Sequence, residues 1–412
     1  MIPDPVLDLP GIGIGDAGRV GPKVARLGQL ARAGWRVPDG YAVTVDALAG
    51  WLPPAARQEL DRLLASGPQA TGEHPHHRHH EHEAHHRHLA LIAARARELI
   101  EGQSLPPWLE DAIAAAHARL ADRTGHGAAL KVAVRSSAAA EDGASASFAG
   151  QYATYLGVTG LPDVFGAIRK CWASGFSAHA LEYRRRAGST GGPGSTGGSG
   201  STGGSGSTAV EDHRLAVGVL ELVDVRSAGV VFTMDPVSGD RDRLIVEANW
   251  GFGESVVSGQ VTPDHWEVDR SSGRVLAEHV SAKGAWSVFD DDAGTVALRP
   301  LPPDLAGQAS LSAQEVGYLC QAAVRIEATA DGVPQDVEWA IARGLPFPDS
   351  VYILQHRPET TWAPGQRDAA PEEPDPAPPA APEPDPKAPD PKARAYDPVA
   401  YALRNVFRVP GA

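Results

Sequence analysis

Apolar residues recur along the chain in helix-like and strand-like runs, broken by two stretches with almost none. Val24, Leu27, Leu30 and Ala31 lie at helical spacing and predict a helix over 20–34 that stops at Gly34. A Val37-Pro38-Asp39-Gly40 turn then leads into a strand over 41–45. Further helices are expected over 89–100, 108–124, 161–186 and 312–329; the third of these closes on Arg184, Arg185 and Arg186, which suit the negative end of a helix. Strands are expected over 132–137, 152–158 and 244–248, through Trp266, Glu267 and Val268, and around Val280. Residues 215–223 and 228–234 read as one hairpin about a turn at 224–227, and 333–362 as another whose two β-branched runs flank a Gly/Pro loop at 344–350.

Composition changes this picture in a few places. The chain has 412 residues, 42% of them apolar and 21% charged, enough for two or three domains and a sizeable core. Its 45 Gly and 35 Pro concentrate in a Gly/Ser/Thr repeat over 188–208, read as a flexible linker, and a Pro/Ala/Asp/Glu stretch over 363–394, read as a disordered spacer. Residues 395–412 regain Tyr, Leu, Val and Phe and read either as a docking tail or as a frayed terminus. Nine of the 16 histidines fall within 72–88, whose spacing lacks the paired ligands of a structural zinc site; it is read as a solvated His-rich loop able to hold metal adventitiously. A net charge of −14 argues against a nucleic-acid surface. No apolar run reaches the roughly 20 residues of a membrane span, the start lacks a basic-then-apolar leader, and Cys171 and Cys320 suit reduced thiols. The expectation is a cytoplasmic protein without membrane or nucleic-acid partners.

Candidate chemistry gathers in the last hairpin. Strand alternation puts Asp336 and Glu338 on one side and Gln355 and Arg357 on one side. If those faces match, two carboxylates, an amide oxygen and a guanidinium converge, the inventory for a Mg²⁺-nucleotide; a surface hairpin with ordinary cross-strand ion pairs would look the same. Lys23, at the start of the first helix beside Gly21, can meet a phosphate at the positive helix end or simply be solvated. The strand at 132–137 delivers Arg135, Ser136 and Ser137 into a small-residue loop at 138–146, where backbone N–H groups can approach phosphate and Arg135 can clamp it; such turns are also common in any α/β protein.

Five segments in order, GPKVARLGQLARAGWRVPDGYAVT, VAVRSSAAAEDGASASFAGQYATYLGV, AGVVFTMDPVSG, NWGFGESVVSGQVTPD, and PQDVEWAI with YILQHRPETT, resemble the ATP-binding N-terminal domain shared by phosphoenolpyruvate synthase, pyruvate phosphate dikinase and rifampicin phosphotransferase. The resemblance implies an α+β, ATP-grasp fold with lobes at 1–187 and 209–362 closing on a nucleotide, and ATP and Mg²⁺ as cofactors. It puts Lys23, Arg135 and Arg357 on phosphates, Glu338 and Gln355 on Mg²⁺, Ser136, Ser137, Gly150, Glu221 and Val223 in the ATP site, and a flap at 137–149. The chain departs from the family at Ala139, where a flap threonine is usual, at Leu220, where a glutamine often meets adenine, and at Pro22, where a glycine precedes the lysine. The family's swivelling domain with a phosphorylatable histidine is not found. The implied role is an ATP half that passes a β-phosphoryl group to a histidine on a separate partner protein, which then phosphorylates a small-molecule acceptor. The alternative is a silent ATP-binding switch or scaffold, and a third reading is metal storage through the His tract.

Overall fold

The computed structural model describes residues 4–66, 78–138, 153–178, 180–182, 215–359 and 362. Strands β1 (Val6–Asp8), β2 (Gly40–Val43), β3 (Lys131–Ala138), β4 (Thr154–Thr159) and β5 (Leu215–Glu221) form an antiparallel sheet in the order β1-β2-β5-β3-β4. Strands β6 (Val225–Phe232), β7 (Arg243–Trp250), β8 (Asp264–Asp269) and β9 (Val275–His279) begin a second one. The ribbon of β10 (Ala285–Asp290) and β11 (Thr295–Pro300) follows, and then β12 (Gln335–Ala342) and β13 (Val351–Pro358) complete the second sheet as β13-β12-β6-β7-β8-β9.

Helices α1 (Ala17–Arg32), α2 (Val45–Trp51), α3 (Pro54–Ala65), α4 (Arg78–Glu101), α5 (Pro107–Thr124), α6 (Leu161–Ser174), α7 (Glu254–Val257) and α8 (Ala313–Thr329) cover the sheets. One core lies between the five-stranded sheet and α2 to α6, with Trp51, Leu60, Ile100, Ile113 and Trp172 contributed by successive helices and Trp51 stacked on Trp172 at 5.3 Å. A second core joins α8, through Val316, Leu319 and Ile326, to Val231, Val246, Val337 and Trp339 of the six-stranded sheet. Helix α1 enters this second core through Val24, Leu27 and Leu30, beside Ala42 and Leu220 of the first sheet. It is thus packed between the two sheets. Helix α8 starts where Ser312 and Glu315 form a reciprocal capping box, with the Ser312 N–H donating to Glu315 Oε2 at 2.8 Å.

Several expectations change. The hairpin read over 215–223 and 228–234 does not form: β5 lies between β2 and β3, and β6 between β12 and β7. Both runs are apolar on both faces and buried almost throughout, so each takes a central place with neighbours on two sides. Because β5 lies beyond residues 188–208, the five-stranded sheet draws on both of the expected lobes. The His-rich loop over 72–88 is helical from Arg78, because no Gly or Pro follows Pro75 before the amphipathic run at 89–100; residues 72–77 lie outside the described ones. The helix expected over 161–186 stops at Ser174, where Gly175 turns the chain and the Ser174 hydroxyl donates to Cys171 O at 2.6 Å. The ribbon β10–β11 was not foreseen.

The 281–310 connection is anchored by a buried ion pair. Lys283 Nζ lies 2.5 Å from Asp264 Oδ1, both side chains are fully enclosed, and Asp264 also accepts from Ser281 N at 3.0 Å and from Ser310 N and Oγ at 2.8 Å. Among the described residues no helix is long and apolar enough to cross a membrane. Replacing Asp264 by Ala would leave a buried ammonium without its counter-charge. Asp264→Ala is expected to lower stability by about 3–5 kcal/mol, read from denaturant unfolding; a loss under about 1 kcal/mol would show the pair to be incidental.

Candidate active site

The site begins with a break in α1. Gly21 has φ 73° and ψ 159°, and a Cβ there would fall 2.2 Å from the carbonyl oxygen and hydroxyl of Ser137. Only glycine permits both the angle and the approach. Helical geometry resumes at Pro22, which suits a first helical position because it has no N–H to satisfy. Lys23 therefore sits in the first turn of the resumed helix, above β3, as the sequence predicts. Val24 N points at Ser137 Oγ at 3.5 Å, and Gly218 on β5 leaves room for the Val24 side chain.

Strand alternation aims Ala133 and Arg135 of β3 to one side. Ser136 and Ser137 are buried; the Ser136 hydroxyl donates to Ala153 O at 3.3 Å, and neither serine lines the cavity described below. Gly150 and Ala139 lie outside the described residues.

The hairpin β12–β13 has the register that alternation requires, with Asp336 opposite Arg357 and Glu338 opposite Gln355. A bulge at Glu338/Trp339 leaves Leu354 as the extra residue on β13, so that Leu354, Gln355 and Arg357 all reach one cavity with Glu338 and Trp339. Arg357 Nε donates to Asp336 Oδ2 at 3.1 Å. Across the gap between the sheets, Arg135 Nη2 donates to Gln355 Oε1. On the opposite face, His356 Nδ1 meets Gln335 Oε1 at 2.9 Å, so this histidine is engaged away from the cavity.

The cavity lies between the two sheets and has a volume of about 410 Å³, within the usual range for small-molecule sites. Lys23, Arg135, Glu338, Gln355 and Arg357 line it, as do Glu221 and Val223; these are seven of the ten residues the sequence nominates. The rest of the lining is largely apolar: Leu156, Leu220, Leu222, Val225, Phe252, Val257 and Leu354. Gly218 pairs with Arg135 and lies five residues before Val223. At about 3.3 Å per residue, Glu221 at the end of β5 lies roughly 10 Å from the Arg135 pairing, and Leu222 and Val223 lie beyond it. One end thus suits a flat apolar ring and the other a polyphosphate. Burial raises the carboxyl pKa of Glu221 above its ordinary value; Asp39 N–H, donating to Oε1 at 3.0 Å, opposes this. Burial also raises Glu254, another lining residue.

Lining residues that the sequence did not nominate include Pro38, Thr154 and Leu156, and several from the NWGFGESVV segment, whose Gly and aromatic residues were visible without a role. The ribbon β10–β11 touches both walls. Thr295 Oγ1 donates to Leu156 O at 3.0 Å, Phe252 N donates to Ser287 O at 2.8 Å, and Lys131 Nζ lies 3.5 Å from the centre of the Phe289 ring. A signal was there: the runs Ala285–Phe289 and Thr295–Leu298 flank an Asp/Gly turn at 290–294, which is a hairpin pattern.

The side chains fit a Mg²⁺-polyphosphate. Three cations face one cavity, and buried Arg135 Nε has no hydrogen-bond partner among the described residues. A carboxylate and an amide oxygen stand opposite one another, which is the protein share Mg²⁺ usually takes when phosphates supply the remainder. Among the described residues no group of three or more His, Cys, Asp or Glu forms a metal cage.

A model of the pyruvate phosphate dikinase AMP/ATP-binding domain matches residues 17–376. The chain belongs to this family. It is 34% identical over 364 residues to a probable phosphoenolpyruvate synthase of Staphylothermus marinus, covering 84% of this chain and 40% of that protein. A probable phosphoenolpyruvate synthase of Methanothermobacter thermautotrophicus is 34% identical over 358 residues, with 85% and 45% covered. The rifampicin phosphotransferase of Streptomyces sviceus is 36% identical over 364 residues, with 87% and 36% covered. The chain therefore spans less than half the length of these relatives. The family's ATP-grasp-like domain agrees with the mixed helix and sheet seen here.

Burial pushes the Asp336 carboxyl up to about 6; Arg357 opposes this, while Glu359 and Glu338 reinforce it. Between its ordinary value of 3.8 and about 6 the folded chain holds a proton that the unfolded chain releases, so stability falls as pH rises through that window. The expected loss is at most about 3 kcal/mol. Unfolding at pH 4 and pH 6.5 checks it: Asp336→Asn should flatten the dependence, and an unchanged slope would remove Asp336 as its source.

Proposed function

We propose that the chain binds Mg²⁺-ATP between two lobes and is the ATP-binding component of a dikinase-type phosphotransferase. The β-phosphoryl group of ATP passes to a histidine on a separate partner protein, AMP leaving from one side and water taking the γ-phosphoryl group as phosphate from the other, and that partner phosphorylates a small acceptor. The observation that carries this reading is the meeting of Lys23, Arg135 and Arg357 with Glu338 and Gln355 in one cavity that has an apolar end. Family membership supports ATP as the ligand, and the relatives' names support phosphotransfer.

In this reading Lys23, at the positive end of the resumed helix, and the two arginines neutralise phosphate charge and fix its orientation. Glu338 and Gln355 would hold Mg²⁺, which when bound supplies charge stabilisation on the phosphate oxygens. Arg135 and Gln355 bond to each other in the structure, so ligand entry requires that contact to give way and couples the two sheets to the phosphates. Leu220, Leu222 and Val223 present an apolar wall to the base.

Product analysis of the chain with Mg²⁺-ATP, alone and with a histidine-carrying domain of the family, tests the proposal. AMP and phosphate are expected only with the added domain. ATP bound but unchanged in both mixtures would favour a silent switch instead. Arg135→Ala and Glu338→Ala should each lower turnover about 10²–10³-fold, and near-native turnover in either variant would contradict its assigned role.

A further inference from the structure

The ribbon β10–β11 is joined to the two walls of the cavity by contacts of unequal strength. Its hold on the six-stranded sheet is buried and made largely by backbone. Phe252 N donates to Ser287 O at 2.8 Å, the Asn249 amide donates to Ala285 O at 3.0 Å, and Ser287 and Asn249 are both buried. A Cβ on Gly251 would fall 2.1 Å from Ser287 O, so the two backbones touch there. The enclosed Lys283–Asp264 pair stands just before β10.

The tip meets β4 differently. Val158 pairs with Val132 and Tyr155 with Val134, which leaves Leu156 and Gly157 as a bulge opposite Ala133. Phe289 rests on that bulge: Gly157 has φ 78°, and a Cβ there would fall 2.3 Å from the ring. Lys131 Nζ covers the ring at 3.5 Å and lies 3.4 Å from Asp291, whose side chain is 90% exposed. The Thr295 hydroxyl donates to Leu156 O at 3.0 Å. Among the described residues no backbone–backbone hydrogen bond joins the ribbon to β4. The tip holds its own shape without β4, because β10 and β11 pair without a break from Ala285–Pro300 to Asp290–Thr295, and Asp290 Oδ1 accepts from Asp292 N at 3.0 Å and from Ala293 N at 3.1 Å.

We infer that the ribbon is a strap, rooted in the six-stranded sheet, whose tip detaches from the Leu156–Gly157 bulge to admit or release the bound molecule and reseats to hold it. A stiff element tied strongly at one end and weakly at the other opens at the weak end. Leu156 and Phe252 both line the apolar part of the cavity, and the strap runs from one to the other. A seated tip therefore bars that side, and a detached one frees it. Lys131, Phe289 and Thr295 do not line the cavity, so they act as positioning residues on the rate of exchange. That the molecule exchanged is a nucleotide rests on the reading above; detachment of the tip does not.

Two measurements on the full chain test the strap. The first needs no ligand: spin labels on Asp292→Cys at the tip and Asp163→Cys on α6 report their separation, the native Cys171 and Cys320 being buried. Adding Phe289→Ala with Thr295→Val should lengthen and broaden that separation, and an unchanged distribution overturns the inference. The second follows binding and displacement of an ATP analogue carrying a fluorescent N-methylanthraniloyl group. In Phe289→Ala and in Thr295→Val, association and dissociation should both quicken by about 5-fold, the worth of one weak contact, with affinity for the analogue and for inorganic tripolyphosphate little changed. Bridging Lys131→Cys to Asp291→Cys with a short bismaleimide should slow both rates, while either cysteine alone should not. Rates that ignore the weakened and the bridged tip overturn the inference, as does faster dissociation with a matching loss of affinity, which would make the tip a support of the closed site. Wild type that binds neither the analogue nor tripolyphosphate overturns the nucleotide reading, and the label separation then decides the strap by itself.

Discussion

The contact between α1 and β3 at Gly21 sets the rest of the site. Helix α1 has to touch both sheets, because its apolar face joins the core of the six-stranded sheet while its start lies over the five-stranded one. At Gly21 the backbone turns to a positive φ and passes so close to Ser137 that any Cβ would clash, so only glycine serves there, and the helix restarts at Pro22. Lys23 then stands at a helix start, next to the arginine that the neighbouring strand presents. The two sheets are placed relative to each other by the same helix, so the geometry of the cavity follows from this one approach.

A cavity lined by three cations is electrostatically expensive unless something shares the charge. In this structure the charges are partly shared within the wall: Arg357 with Asp336, and Arg135 with the Gln355 amide. Burial raises the Asp336 pKa and so works against the Arg357 partnership, which lowers it. A polyphosphate would give these cations a stronger partner, and the Arg135–Gln355 contact across the gap would become a contact through the ligand. The ribbon β10–β11, rooted beside the Lys283–Asp264 pair, holds Leu156 on one wall and Phe252 on the other. The ribbon therefore ties the two walls of the cavity together.

Much of the site was legible because it obeys local rules. Asp336, Glu338, Gln355 and Arg357 were placed by two-residue alternation within one hairpin, and the observed register agrees. The helix containing Lys23 was legible from its apolar spacing, though its break at Gly21 was not, since that depends on Ser137, more than a hundred residues away. The pairing of β5 and β6 was misread for the same reason. A short polar turn between two apolar runs signals a hairpin locally, but burial on both faces sends each strand to a different sheet. The role of Pro38 was invisible because it depends on a tertiary contact that leaves no periodic trace, whereas the ribbon's two runs around the turn at 290–294 were readable as a hairpin but not its place against both walls. Ser136 and Ser137 look like phosphate ligands in sequence, but in the structure they are buried against Ala153 and α1.

The central claim is that both sheets hold one nucleotide through side chains that already meet across the gap. Amide hydrogen exchange with and without Mg²⁺-ATP tests it most directly, because it reports on each strand separately. The account predicts slower exchange together in Lys131–Ala138, Val351–Pro358 and the first turn after Gly21. Protection confined to one sheet, or none in either at saturating nucleotide, would contradict it.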